Sequence, residues 1–220
     1  MRIHSHIDYY AFPRVRHNRR QEAAFDQVAD EFLKPIPADI VARTAVIAAS
    51  AAIRPGHAVL DVGTGTGVLL PAVLRAQPAR VVACDLSARM LERARERFEP
   101  AVIFVKADVV DLAPALGPFD RVFCNAVFGN FYDQTQALRA IRGLLKPRGR
   151  LVISHPMGRD FVRWLMQHNP EMVRHELPDE SRLRQMCAAA GLRVLRFVDE
   201  PDLYIATAQR TAAAPLPYRV

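Results

Sequence analysis

Cysteine and tryptophan are scarce in this chain of 220 residues, which has three of the first and one of the second. Cys84, Cys124 and Cys187 form an odd set without metal-ligand spacing, so neither a disulfide framework nor a metal site is expected. The first two fall within apolar runs, as core thiols of a cytoplasmic protein would. No apolar stretch reaches the roughly 18 residues that span a bilayer, so no membrane partner is expected. The polar start Met1-Arg2-Ile3-His4-Ser5-His6 lacks the apolar core of a signal peptide. Low-complexity runs and internal repeats are also missing.

What is present suits one enzyme-sized domain, because 50% hydrophobic residues supply a sizeable core. Helical periodicity runs over 20–33, 38–53, 67–76, 87–98, 133–145, 158–168 and 179–190, interleaved with short apolar runs. Such alternation predicts an α/β fold, a doubly wound and mostly parallel sheet with helices on both faces. The last two apolar runs, 192–198 and 203–208, are joined across Asp199-Glu200-Pro201-Asp202 and read as an antiparallel hairpin, which brings the sheet to seven strands. Asp133 with Gln136 forms a capping box for one helix, and Gly191 ends the last. Three parts are expected: residues 1–36 as an N-terminal extension and substrate lid, 37–210 as the catalytic domain, and 211–220 as a flexible tail.

The segment Val59-Leu60-Asp61-Val62-Gly63-Thr64-Gly65-Thr66-Gly67 reads as a buried strand running into a glycine-rich turn that opens a helix. Alternate glycines allow positive φ and let a ligand approach the backbone, and the N–H groups at the start of the helix would face that ligand. Asp85, 20 residues beyond Gly65, ends the next apolar run, where a carboxylate can accept ribose hydroxyls. A dinucleotide fingerprint would require a small third residue in G-x-G-x-x-G/A. Counting from Gly63 that position is Val68, and from Gly65 it is Leu70. Asp61, inside the strand, suits a ligand bearing positive charge better than a diphosphate.

These residues resemble the class I S-adenosylmethionine-dependent methyltransferases, whose first motif Asp61 to Gly67 matches without departure. The resemblance runs from about Ala58 to Arg210. It implies S-adenosylmethionine as cofactor, S-adenosylhomocysteine as product, and a sheet that closes with an antiparallel strand inserted beside the fifth. Carried over position by position, it implies that Asp61, Gly63, Thr64, Gly65, Gly67, Leu86 and Val109 bind the cofactor. Asp85 would hold the ribose, Asp108 would accept from the adenine amino group, and Asn125 would stand beside the methyl group. Leu145-Lys146-Pro147-Arg148-Gly149 resembles the family's Leu-Lys-Pro-Gly-Gly turn, with Arg148 in place of the first glycine.

A sulfonium is already a strong methyl donor, so alignment and water exclusion supply most of the rate. If an acceptor must lose a proton, His155 at the end of the fifth strand is the candidate base and a candidate substrate contact. Tyr9, Tyr10 and Phe128 are further candidate substrate contacts. The expected activity is methyl transfer to a small-molecule acceptor through an O, N or C nucleophile. A net charge of +7, with Arg14, Arg16, Arg19 and Arg20 clustered, keeps an RNA methyltransferase open as the alternative, and a cofactor-binding protein without catalysis as another.

Overall fold

The computed structural model describes residues 13–212, and Tyr9, Tyr10 and nearly all of the expected tail lie outside them. Seven strands form one sheet: β1 (Ala58–Val62), β2 (Arg80–Asp85), β3 (Ile103–Lys106), β4 (Phe119–Asn125), β5 (Leu145–His155), β6 (Leu192–Glu200) and β7 (Leu203–Arg210). Their order is β3-β2-β1-β4-β5-β7-β6. β1 to β5 are parallel to their neighbours, whereas β7 runs antiparallel to both β5 and β6. The closing hairpin therefore inserts its second strand beside the fifth, as the resemblance implies.

Strand alternation divides the core in two. Leu60, Val62, Val82, Cys84, Val122, Cys124, Leu151 and Ile153 belong to one buried cluster, while Val59, Val81, Ala83, Phe123 and Val152 belong to the other. The first cluster is covered by α5 (Gln134–Leu144) and α7 (Glu180–Ala189), through Leu138, Ile141 and Leu183. The second is covered by α2 (Ala38–Ser50) and α3 (Leu70–Leu74), through Ile47, Leu70 and Val73. Helices thus lie on both faces, and all three cysteines are buried and free. Burial pushes their thiol pKa values up, which leaves them inert.

Two other helices complete the layers, α4 (Ala88–Phe98) and α6 (Gly158–His168). Ser87 caps α4 by accepting the Met90 N–H, and Asp133 caps α5 by accepting those of Thr135 and Gln136. Gly191, at φ +73°, ends α7. The main departure from sequence periodicity is at the N-terminus. Helix α1 (Pro13–Val28) begins seven residues before the predicted start and passes into a 3-10 turn, Ala29–Leu33. Pro13 stands at its first position, where the missing N–H costs nothing. Among the described residues, no helix is long and apolar enough to cross a membrane.

Candidate cofactor and active site

A mostly apolar cleft lies over the carboxyl ends of β1 to β4 and is walled on its outer side by α1. Its floor begins with the glycine turn. Gly63 and Thr64 both donate backbone N–H groups to the Cys84 carbonyl, at 2.8 and 3.1 Å, so the turn is tied to β2. A Cβ at Gly63, where φ is +65°, would stand 2.3 Å from Cγ2 of Val127. Gly65 is different: its nearest neighbour would be Met90 Sδ at 4.0 Å, and its N–H points to Asp85 Oδ2 at 2.8 Å. Gly63 is a packing glycine, and Gly65 keeps space open in the cleft.

The expected long helix after this turn is not formed. The chain continues in turns to Leu69, and α3 spans only Leu70–Leu74. A helix N-terminus is therefore not what faces the ligand. Gly63 to Thr66 all line the cleft, and the N–H groups of Gly63, Thr64 and Gly65 are already donated to Cys84 and Asp85. Gly67 does not line it; a Cβ there would meet Phe98 Cε2 at 2.6 Å.

Asp61 lies beneath the turn and is 1% exposed. Thr64 Oγ1 donates to its Oδ2 at 2.7 Å, whereas its Oδ1 is buried with no hydrogen-bond partner among the described residues. Burial raises its pKa to about 7, against the opposing hydrogen bond from Thr64, and the nearby Asp85 adds to the rise. Asp61 is not among the residues that line the cleft; its unpaired oxygen lies buried beneath the turn residues that do.

Asp85 ends β2 with its carboxylate anchored at both oxygens. Oδ2 accepts from Gly65 N–H at 2.8 Å and Oδ1 from Ser87 N–H at 2.9 Å. Burial raises its pKa and these backbone donors oppose the rise. The residue both braces the turn and, through its remaining lone pairs, presents acceptors to the cleft that it lines together with Leu86. Asp108 and Val109 line the same cleft after β3, and Asn125 does so at the end of β4. Ser154 Oγ donates to Asn125 Oδ1 at 3.0 Å, which leaves the Asn125 amide nitrogen as the group to face a ligand.

Other sequence candidates are not brought together with these. His155 is 8% exposed and is not part of the cleft lining. Its position in β5 has the parity of Leu151 and Ile153, opposite to that of Ser154, and it pairs in register with Tyr204. Its Nδ1 accepts the Met157 N–H at 3.2 Å, and its ring lies 5.6 Å from that of Phe161. Burial lowers its pKa to about 4. Phe128 is 0% exposed and belongs to the core. Among the described residues no histidine, lysine or cysteine lines the cleft, and no three His, Cys, Asp or Glu side chains are grouped as a metal site.

The N-terminal segment is expected as a substrate lid, but the sequence does not single out which residues of α1 wall the cleft. Arg14, Asn18, Gln21 and Phe25 line the cleft, with Phe32 from the following turn. The helix is fastened around the rim by side chains on its inner side. His17 Nε2 donates to the Asn130 carbonyl at 2.7 Å, Gln21 Nε2 to that of Glu171 at 2.5 Å, and Ser87 Oγ to Asp26 Oδ1 at 2.5 Å. Glu22 pairs with Lys106. Asn130 is fixed in turn by donating to Gln21 Oε1 and to the Met172 carbonyl, at 3.1 and 2.7 Å. The first turns of the helix are too polar to be read as an apolar stripe, so the periodic signal begins only at residue 20.

Comparison with known proteins agrees with this geometry. Residues 17–196 match the family model described as a methyltransferase domain. Trans-aconitate 2-methyltransferase of Rhodopseudomonas palustris is 35% identical over 137 residues, 60% of this chain and 53% of that protein. The chain spans about half or less of the length of the other curated relatives it matches, for example 38% of the malonyl-[acyl-carrier protein] O-methyltransferase of Halalkalibacterium halodurans. Among solved structures, the N-methyltransferase NodS of Bradyrhizobium japonicum, in complex with S-adenosylhomocysteine, superposes with a TM-score of 0.69 at 14% identity, covering 87% of this chain and 98% of that one. The seven-stranded sheet, its inserted antiparallel strand and the match over residues 17–196 together establish that the chain belongs to the methyltransferase domain family.

Proposed function

We propose that this protein transfers the methyl group of S-adenosylmethionine to a small-molecule acceptor. The observation that carries this reading is the buried, unpaired Oδ1 of Asp61 beneath a glycine turn whose Gly65 N–H is held by Asp85. The donor set suits each part of the cofactor. Asp61 supplies negative charge for the methionyl ammonium, Asp85 supplies acceptors for the ribose hydroxyls, and Asp108 supplies one for the adenine amino group. When bound, the cofactor supplies an electrophilic sulfonium methyl.

The chain's own part is orientation and exclusion of water. The apolar lining, with Phe25, Val127, Phe131 and Met90, excludes water from the reacting groups. Asn125 and Asn130 are two of the neutral polar groups on the β4 side of the cleft, each fixed by a neighbour, and they are suited to orient an acceptor without taking its proton. A small molecule is favoured over RNA because Arg14, one of the four clustered arginines, turns into the cleft and pairs there with two carboxylates. The trans-aconitate enzyme named above is a relative with a small acceptor, in keeping with this reading.

Calorimetric titration with S-adenosylhomocysteine and with NAD tests the cofactor. S-adenosylhomocysteine is expected to bind and NAD not to; the reverse order would overturn the reading. Incubation with labelled S-adenosylmethionine and either a metabolite mixture or RNA then tests the acceptor, and label in RNA alone would replace the small molecule with nucleic acid.

A further inference from the structure

Asp108 is the most heavily engaged carboxylate at the cleft. Its Oδ1 accepts the Val110 N–H at 3.0 Å. Its Oδ2 accepts twice, from Arg14 Nη1 at 2.6 Å and from Asn18 Nδ2 at 2.7 Å. An ionised carboxylate offers about four lone-pair sites. Among the described residues three of those on Asp108 are filled, and the fourth belongs to Oδ1, on a residue that lines the cleft and whose side chain is 12% exposed.

Arg14 is itself held in place. Its Nη1 and Nη2 donate to Asp111 Oδ2 and Oδ1, both at 2.8 Å, in a two-pronged contact that leaves Nη1 shared with Asp108. Asn18 follows Arg14 by one helical turn, so both side chains descend from the same side of α1 into the cleft. Two carboxylates beside a neutral purine would otherwise repel each other and draw water. Arg14 offsets their charge, and with Asn18 it stops rotation of the Asp108 carboxylate.

We propose that Arg14 and Asn18 are positioning residues for cofactor recognition: by occupying both sites on Asp108 Oδ2, they aim the one open site on Oδ1 at the adenine amino group. The proposal rests on the cofactor reading given above. It makes α1 part of the adenine site, not only a cover. Docking of the helix and binding of adenine then reinforce each other, because each is favoured by the same orientation of one carboxylate.

The test compares S-adenosylhomocysteine with S-inosylhomocysteine, in which a carbonyl oxygen replaces the amino group and would face the carboxylate with a lone pair. Both are titrated into the full chain as wild type, Arg14→Ala, Asn18→Ala and Arg14→Lys, with far-UV circular dichroism as a check on folding. The wild type is expected to prefer the adenosyl ligand by about 10- to 100-fold, the range for a hydrogen bond to a charged group. Each alanine variant should lose most of that preference while its affinity for the inosyl ligand changes less than about threefold, and Arg14→Lys should retain part of it. Equal weakening of both ligands would reduce the helix to a simple cover and overturn the proposal. A preference unchanged in Asn18→Ala, the milder variant, would also overturn it. A wild type that binds both ligands equally would show that Asp108 does not read the amino group, and one that binds neither would remove the cofactor reading itself.

Discussion

Thr64 Oγ1 donates to Asp61 Oδ2 at 2.7 Å, while the other oxygen of the same carboxylate is buried without a partner among the described residues. The strand residue and the turn residue are thus joined on one side, and the free side carries an unmet electrostatic demand. Burial holds the Asp61 pKa at about 7, far above an ordinary carboxylate. Between roughly pH 4 and 7 the folded state keeps a proton that the unfolded chain releases, so stability falls as pH rises through that window and levels off above it.

Replacing Asp61 by Asn should therefore stabilise the ligand-free protein at pH 8 and give little gain at pH 4. The same change should weaken S-adenosylhomocysteine by about 1.5–3 kcal/mol, because an anionic partner for the ligand's ammonium is lost. In the wild type, ligand affinity should rise between pH 5 and 7 with proton release, measured by calorimetry in buffers of different ionisation enthalpy. Thermal melts that show no pH-dependent gain for the variant would contradict the account.

Gly63 gives a separable steric prediction. Gly63→Ala would place a Cβ 2.3 Å from Val127 Cγ2 at φ +65°, whereas Gly56→Ala at φ +87° meets nothing within 4 Å. Gly56→Ala should cost about 1–2 kcal/mol of stability, the left-handed backbone penalty alone. Gly63→Ala should cost about 1–3 kcal/mol more, the range for overpacking, and should also weaken S-adenosylhomocysteine because the turn must shift. Equal losses in denaturant titrations of the two variants would show that Val127 yields without cost.

The cofactor half of the cleft was legible because its signals are local. A strand, a glycine turn and an acid 20 residues on fix Gly63, Gly65 and Asp85 relative to one another, and the hairpin fixes β7 between β5 and β6. The acceptor half was not, since it depends on distant packing. His155 and Ser154 are neighbours in sequence, but one residue of strand parity sends them to opposite faces, and only Ser154 reaches Asn125. Phe128 follows β4 closely and yet turns into the core. Arg14 and Asn18 gain meaning only from Asp108, 94 and 90 residues away.

Arg148 tests a departure that was visible in the sequence. It occupies the place of a glycine in the family's turn and adopts φ +62° within a strand that shifts register between Phe119 and Arg121 of its partner. Arg148→Gly removes a backbone penalty of about 1–2 kcal/mol and restores part of the unfolded chain's entropy. A net gain of about 1 kcal/mol is expected, or roughly 2–4 °C in melting temperature for a chain of this size. The side chain is exposed, so no packing is lost; a lower melting temperature would mean that Arg148 contributes more than its backbone costs.

His155 decides whether a general base operates at the strand end. Its imidazole is buried, its Nδ1 accepts the Met157 N–H, and its pKa is lowered to about 4 by desolvation. Between about pH 4 and 6.5 the unfolded chain binds a proton that the folded state does not, so folding stability should rise with pH across that window. His155→Gln should flatten that rise and lower stability at pH 7 through the lost turn contact, an effect of about 0.5–1.5 kcal/mol for one neutral hydrogen bond. Turnover with the true acceptor should stay within about threefold of wild type, and the wild-type rate should show no ionisation near pH 6.5 that the variant lacks. A loss of the 10²–10⁴ typical of general-base removal, with S-adenosylhomocysteine affinity unchanged, would instead return His155 to the chemistry and require the cleft to open toward β5.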